Sequence, residues 1–139
     1  MKPLDFAVMA LVGAGIMTAV AWYVQLVHYP TFRWIASSDF EKFHAHHVAG
    51  TGAVVVPGML LELVGAVGLV VTSGSLLAKV GLGCCLVAFA LTFGISARIH
   101  QKLSAAHSVA DIEALIRTNL PRTLVWSAHL VVSVVVLLG

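Results

Sequence analysis

The residues best suited to chemistry in this sequence are histidines. Seven stand among 139 residues, and the stretch FEKFHAHHVAGTG holds three of them within four positions. His44 and His47 are three apart, so on a helix they share a face and can converge on one ion. His46 points ~100° or more away from both and is read as solvated, as is His107 in a polar loop. His28 lies at the end of the preceding apolar run and His100 at the end of a later one. Imidazole nitrogen is the commonest protein ligand for zinc, copper and iron and also holds haem iron. The sharp reading of His28, His44, His47 and His100 is therefore a transition-metal or haem site. The plainer reading is a set of amphipathic anchors or hydrogen-bonding groups at a membrane interface.

Glu41-Lys42-Phe43-His44 also has the Glu-x-x-His spacing of di-iron carboxylate bundles. Such a site uses the motif twice with further carboxylates, and the acids here are only Asp5, Asp39, Glu41, Glu62, Asp111 and Glu113. A histidine-rich mononuclear or dicopper site, or haem held by histidines from two helices, fits the composition better. No G-x-S-x-G, glycine-rich phosphate loop, H-E-x-x-H or C-x-x-C occurs, which argues against hydrolase and nucleotide chemistry. Cys84 and Cys85 are neighbours that point in different directions on a helix, and are read as small packing residues.

The elements that position these residues follow from composition. The chain is 60% hydrophobic and 10% charged, with mean hydropathy +1.00, too apolar to cover a soluble surface. Four charge-poor segments approach or exceed the ~18 residues that span a bilayer. They predict helices over about 4–29, 39–72, 76–103 and 109–138, in one all-α integral membrane domain covering 1–139. The first run, with Lys2 and Ala19-Val20-Ala21, imitates a signal peptide, but it continues to Val27 and is read as a retained helix. Arg33, Lys42, Arg98, Lys102, Arg117 and Arg122 lie on one side of the membrane, against Lys2 and Lys79 on the other. The positive-inside rule then places both termini outside the cytoplasm, with helices 2 and 4 extended on the cytoplasmic side. A net charge of +2 is too small to suggest nucleic acid as a partner.

Local signals set the boundaries. Pro30 should close helix 1. Ser38 to Glu41 reads as a capping box for helix 2, which should run to the turn at Thr72-Ser73-Gly74. Ser108 to Asp111 repeats the capping signal before an amphipathic turn, and Pro121 should bend its junction with helix 4.

Each helix carries one polar stripe at three- and four-residue spacing. Helix 1 gives Thr18, Gln25 and His28. Helix 2 gives His44, His47, Thr51 and Glu62. Helix 3 gives Ser96 and His100, and helix 4 gives Asn119, Arg122, Trp126, His129 and Ser133. Hydrogen-bonding groups facing lipid would lack partners, so the stripes should face one another. By depth, the four histidines meet Asn119 and Arg122 near the cytoplasmic helix ends, where Asn119, Arg122 and Trp126 could bind a cofactor or substrate group. Glu62 lies fifteen residues beyond His47, roughly 22 Å along the helix, and needs a separate partner: Thr18, His129 or Ser133. Ionisable groups such as Glu62 and His129 inside a span are rare and either paired or functional.

The segments WYVQLVHYPTF, FHAHHVAG, PGMLLELVGA and LIRTNLPRTLVWSAHLVV resemble a group of small bacterial four-helix integral membrane proteins, a resemblance that implies the fold and carries over no activity. More distantly, the layout is similar to anthrone-oxygenase-like membrane proteins. Their last helix begins with an Asn-x-x-Arg-Thr element, matched here by Asn119, Arg122 and Thr123. The histidine-dependent four-helix protoporphyrinogen oxidases share a comparable layout. Two functions follow as expectations. One is a membrane oxidoreductase or oxygenase that holds copper, iron, zinc or haem and acts on a lipophilic substrate. The other is a non-catalytic accessory subunit of a larger membrane complex or a homo-oligomer. Proton or small-solute transport through Glu62 and His129 is a weaker alternative.

Overall fold

A computed structural model describes residues 1–139 as four long helices with no strand. α1 runs Pro3–Trp34, α2 Ser37–Ser73, α3 Leu76–Ala105 and α4 Val109–Leu138, and each is long and apolar enough to cross a membrane. Short turns force consecutive helices to run antiparallel. Both chain termini therefore lie at one end of the bundle and the histidines at the other. At the α2–α3 turn Gly74 takes φ 62°, a left-handed conformation that closes the helix, and the Ser75 hydroxyl caps α3 by accepting from the Ala78 amide at 3.1 Å.

The α1–α2 seam is the closest in the bundle because small residues line it. A Cβ on Gly13 would lie 2.6 Å from the Cα of Glu62, and one on Gly65 would lie 2.7 Å from the Cα of Ala10. Without a hydrophobic drive between helices in lipid, such backbone approach supplies the packing. Gly65→Ala is thus expected to cost about 1–3 kcal/mol through overpacking. Gly83→Ala, which meets nothing within 4 Å, should be neutral or stabilising. SDS-titration midpoints of the two variants against wild type check this. Val12, Ile16, Leu60, Val64, Leu86 and Val131 point outward, giving the bundle the apolar exterior that a bilayer requires.

Several boundaries differ from expectation. Pro30 does not close α1, which continues to Trp34. The reason is a π-turn over Val24–His28, after which Pro30 sits in the first turn of a new helical segment, where no amide donor is needed. Ser38 is not a cap: α2 begins at Ser37 with Ala36 at the N-cap and no side-chain cap bond. Ser108 does cap α4, accepting from the Asp111 amide at 3.2 Å. Pro121 lies inside a single continuous α4, and Pro57 lies inside α2. A second π-turn spans Thr92–Ser96 in α3. Arg33 and Glu113 form a bidentate pair at 2.5 and 2.7 Å, joining the end of α1 to the start of α4.

Candidate functional site

The histidine end is built from three helices. α1 supplies His28 and Tyr29, α2 supplies His44 and His47, and α3 supplies His100 and Ser104. Imidazole centroids are 4.5 Å apart for His28–His47, 5.2 Å for both His44–His100 and His47–His100, and 6.2 Å for His44–His47. Phe32, fully buried, sets its ring edge to His28, His44 and His47 at 5.5, 6.1 and 5.1 Å, while Phe40 stacks on His44 at 5.6 Å. These aromatic walls fix the ring planes. His46 is exposed, whereas His107 is held by Ser37 at 3.1 Å and by the edge of Phe40, so it is not simply solvated.

Two hydrogen-bonded strings run through the cluster. In the first, Tyr29 Oη meets His100 Nε2 at 3.0 Å, His100 Nδ1 meets His44 Nε2 at 3.0 Å, and His44 Nδ1 meets Ser104 Oγ at 3.3 Å. Ser104 itself donates to the His100 carbonyl at 3.0 Å. One direction satisfies every member: Tyr29 donates to His100, His100 Nδ1–H to His44, and His44 Nδ1–H to Ser104. In the second string His47 Nδ1 meets His28 Nε2 at 2.7 Å and Thr51 Oγ1 at 3.0 Å. His47 Nε2 has no bond within the protein, and its tautomer decides whether it offers an N–H or a lone pair. No group of three or more His, Cys, Asp or Glu side chains is arranged as a metal-ion shell. Two nitrogens on a tetrahedral ion at ~2.0–2.1 Å stand about 3.3 Å apart. The paired imidazoles are closer than that, so a metal would have to replace their hydrogen bonds and turn the rings.

Beside the cluster lies a cavity of about 410 Å³, within the ~300–1,000 Å³ range of small-molecule sites. Val48, Thr51 and Val55 of α2 face Phe93, Ala97 and His100 of α3 across it, with Met17, Ala21 and Val24 of α1 behind and Arg122 and Trp126 of α4 on its floor. Phe93 and Val48 are exposed on the outer surface, so the opening is lateral, between α2 and α3. Both π-turns border it through Val24 and through Thr92, Phe93 and Ser96. Each turn inserts one residue and advances the helical phase of the residues after it. This is how Tyr29, rather than His28, becomes the buried α1 residue at this level.

Asn119 organises the floor. Its side-chain amide donates to Gln25 Oε1 at 2.8 Å and lies 3.2 Å from Thr123 Oγ1, which leaves Oδ1 to accept from Arg122 Nε at 3.1 Å and from Nη2. Arg122 is 8% exposed and faces no carboxylate: the ion pairs of the structure are Arg33–Glu113 and Glu62–His129. Its guanidinium stands 5.3 Å from the Trp126 ring. An arginine at the centre of a membrane helix costs about 3 kcal/mol on insertion scales; Arg122, nearer the histidine end of the bundle, has a neutral amide and an indole face to offset its burial.

Glu62 is separate from this site. Fully buried, it meets His129 Nδ1 at 2.5 Å through Oε1 and accepts from Trp126 Nε1 at 3.0 Å through Oε2. Of its three expected partners the structure selects His129. Thr18 Oγ1 has no partner, Ser133 makes no bond to the carboxylate, and Trp126, expected with Asn119 and Arg122 as a cofactor- or substrate-binding residue, is a second partner of Glu62. Gly81 leaves room for the His129 ring, since a Cβ there would lie 3.3 Å from Nε2.

Arg122 and Trp126 therefore line the same cavity as His47 and His100, Asn119 stands behind Arg122, and Glu62 and His129 meet this site through the Trp126 indole. Sequence reasoning missed Tyr29 and Ser104. The spacing of Ser104, four residues beyond His100, was the available signal for the second; a π-turn hid the first. No family model, curated protein or solved structure matches this chain.

Proposed function

We propose that this chain is a membrane-embedded oxidoreductase or oxygenase of the bacterial inner membrane, with both termini outside. It takes a lipophilic substrate into the lateral cavity and recruits a transition metal or haem iron through the histidine cluster. The observation that carries this reading is the juxtaposition of four imidazoles from three helices with an apolar cavity open between α2 and α3. A hydrophobic molecule dissolved in the bilayer reaches such an opening without crossing water. The polar atoms at its inner end, from Tyr29, His47, His100 and Arg122, are the groups that orient a reacting head and move protons. His47 Nε2 is the nitrogen free to bind first. His28 Nδ1 is likewise unbonded, whereas His44 and His100 become ligands only by exchanging hydrogen bonds.

A second reading is favoured by the Ser104–His44–His100–Tyr29 string, which is satisfied without any ligand. In that reading the cluster is a sealing network and the chain is an accessory subunit of a larger membrane complex. Metal analysis and an absorption spectrum of protein purified from its native membrane separate the two. The oxidoreductase reading expects stoichiometric copper, iron or zinc, or a haem band. Protein with no metal, no haem and no visible absorbance leaves the accessory-subunit reading in front.

A further inference from the structure

We infer that the cavity receives a carboxylate carried on an apolar body, with Arg122 as the residue that binds the acid group. The inference rests on the cavity and not on the metal, so it stands or falls apart from the redox chemistry proposed above.

Three observations converge. Arg122 is a buried cation without a carboxylate partner; it lines the cavity, and beyond its two bonds to Asn119 Oδ1 the polar side chain close to it is the Tyr29 hydroxyl, which leaves further guanidinium N–H groups for a ligand. Asn119 is itself anchored by Gln25, so the guanidinium is held in one orientation before any ligand arrives. Ser96, 2% exposed, lines the same cavity, and its hydroxyl has no hydrogen-bond partner. A buried hydroxyl without a partner beside a cavity is a donor that a ligand there can satisfy. A planar fork with free N–H groups matches a carboxylate, and a hydroxyl nearby can donate to the same head.

The remainder of the cavity selects what the acid is attached to. Met17, Val20, Val24, Val48 and Val55 form an apolar wall, and the lateral opening faces the hydrocarbon. Two kinds of molecule place a carboxylate on a body of that sort. One is a fatty acid drawn from the bilayer; the other is a haem, whose propionates are carboxylates on an apolar macrocycle.

The test uses wild-type protein in nanodiscs stripped of metal with a chelator. One arm titrates cis-parinaric acid, a fluorescent fatty acid, against its methyl ester. The other titrates metal-free protoporphyrin against its dimethyl ester. In at least one arm the acid should bind ~10-fold or more tightly than its ester, the scale of a hydrogen bond to a charged group. The arm that shows it names the source. Arg122→Gln should abolish the preference, and Arg122→Lys, which keeps the charge but not the fork, should retain part of it. Equal affinity of acid and ester in both arms overturns the inference, and that comparison needs no variant to fold. An acid preference that survives intact in folded Arg122→Gln overturns it as well. Because the protein is metal-free throughout, an acid preference is read whether or not the histidines hold a metal.

Discussion

His129→Leu is expected to destabilise the bundle by about 3–5 kcal/mol, the cost of stranding one partner of a buried ion pair. Glu62 and His129 have essentially no solvent access and share one short contact at 2.5 Å. Each group is the other's polar partner, which is the condition for placing an ionisable side chain mid-bilayer. Leucine at 129 removes that compensation and leaves Glu62 with the Trp126 N–H alone. Adding Glu62→Gln should restore much of the loss, because an amide carries no charge yet still accepts from Trp126. Glu62→Gln on its own should keep the fold, since the amide can also donate to His129 Nδ1. Steady unfolding midpoints for the single and double variants, in SDS titrations of the purified protein, measure this cycle. A His129→Leu midpoint equal to wild type would show that the pair adds nothing. Loss of an activity or of proton movement in a folded Glu62→Gln protein would show that the carboxylate has a role beyond packing.

The same pair shows where sequence reasoning stops. Polar residues at three- and four-residue spacing suffice to place Glu62 inward and His129 at its depth, because lipid admits no other direction for them. The choice of His129 over Thr18 and Ser133 depends on helix rotation and on the space beside Gly81, which no stripe encodes. At the histidine end the logic is similar. Shared depth and phase bring His28, His44, His47 and His100 together, but the two π-turns each shift the phase by a residue, and period-3.6 reasoning cannot see them. Tyr29 escapes it for that reason. Pro30, which reads as a stop, instead follows a π-turn directly, at the second position of the next helical segment. The capping signal at Ser38 fails for a local reason, since its hydroxyl sits 3.5 Å from the Asp39 carboxylate and α2 has already begun. The isolated charge of Arg122 emerges only in three dimensions. Its nearest acid in the sequence, Glu113, is committed to Arg33.

The two central histidines of α2 should respond differently to replacement, because their nitrogens are differently engaged. His44 has both nitrogens bonded inside the protein and is 1% exposed, so His44→Leu strands His100 Nδ1, while the exposed Ser104 keeps its bond to the His100 carbonyl. At ~1–3 kcal/mol for a buried group left unsatisfied, the expected loss is about 1–3 kcal/mol, tempered by the packing that leucine regains against Phe40. His47 bonds through Nδ1 alone, to a partly exposed His28 and to Thr51, whose hydroxyl can turn back to its own helix. His47→Leu should therefore cost less stability, while removing the one imidazole nitrogen of the cluster that faces the cavity without a partner. Melting midpoints and bound metal or haem, read side by side on the two variants, give the discriminating pattern. Stability should fall most for His44→Leu, and ligand content most for His47→Leu. Equal loss of ligand in both, with stability preserved, would make the four histidines a single ligand shell. Loss of stability in both, with no ligand in wild type, would make the cluster a seal.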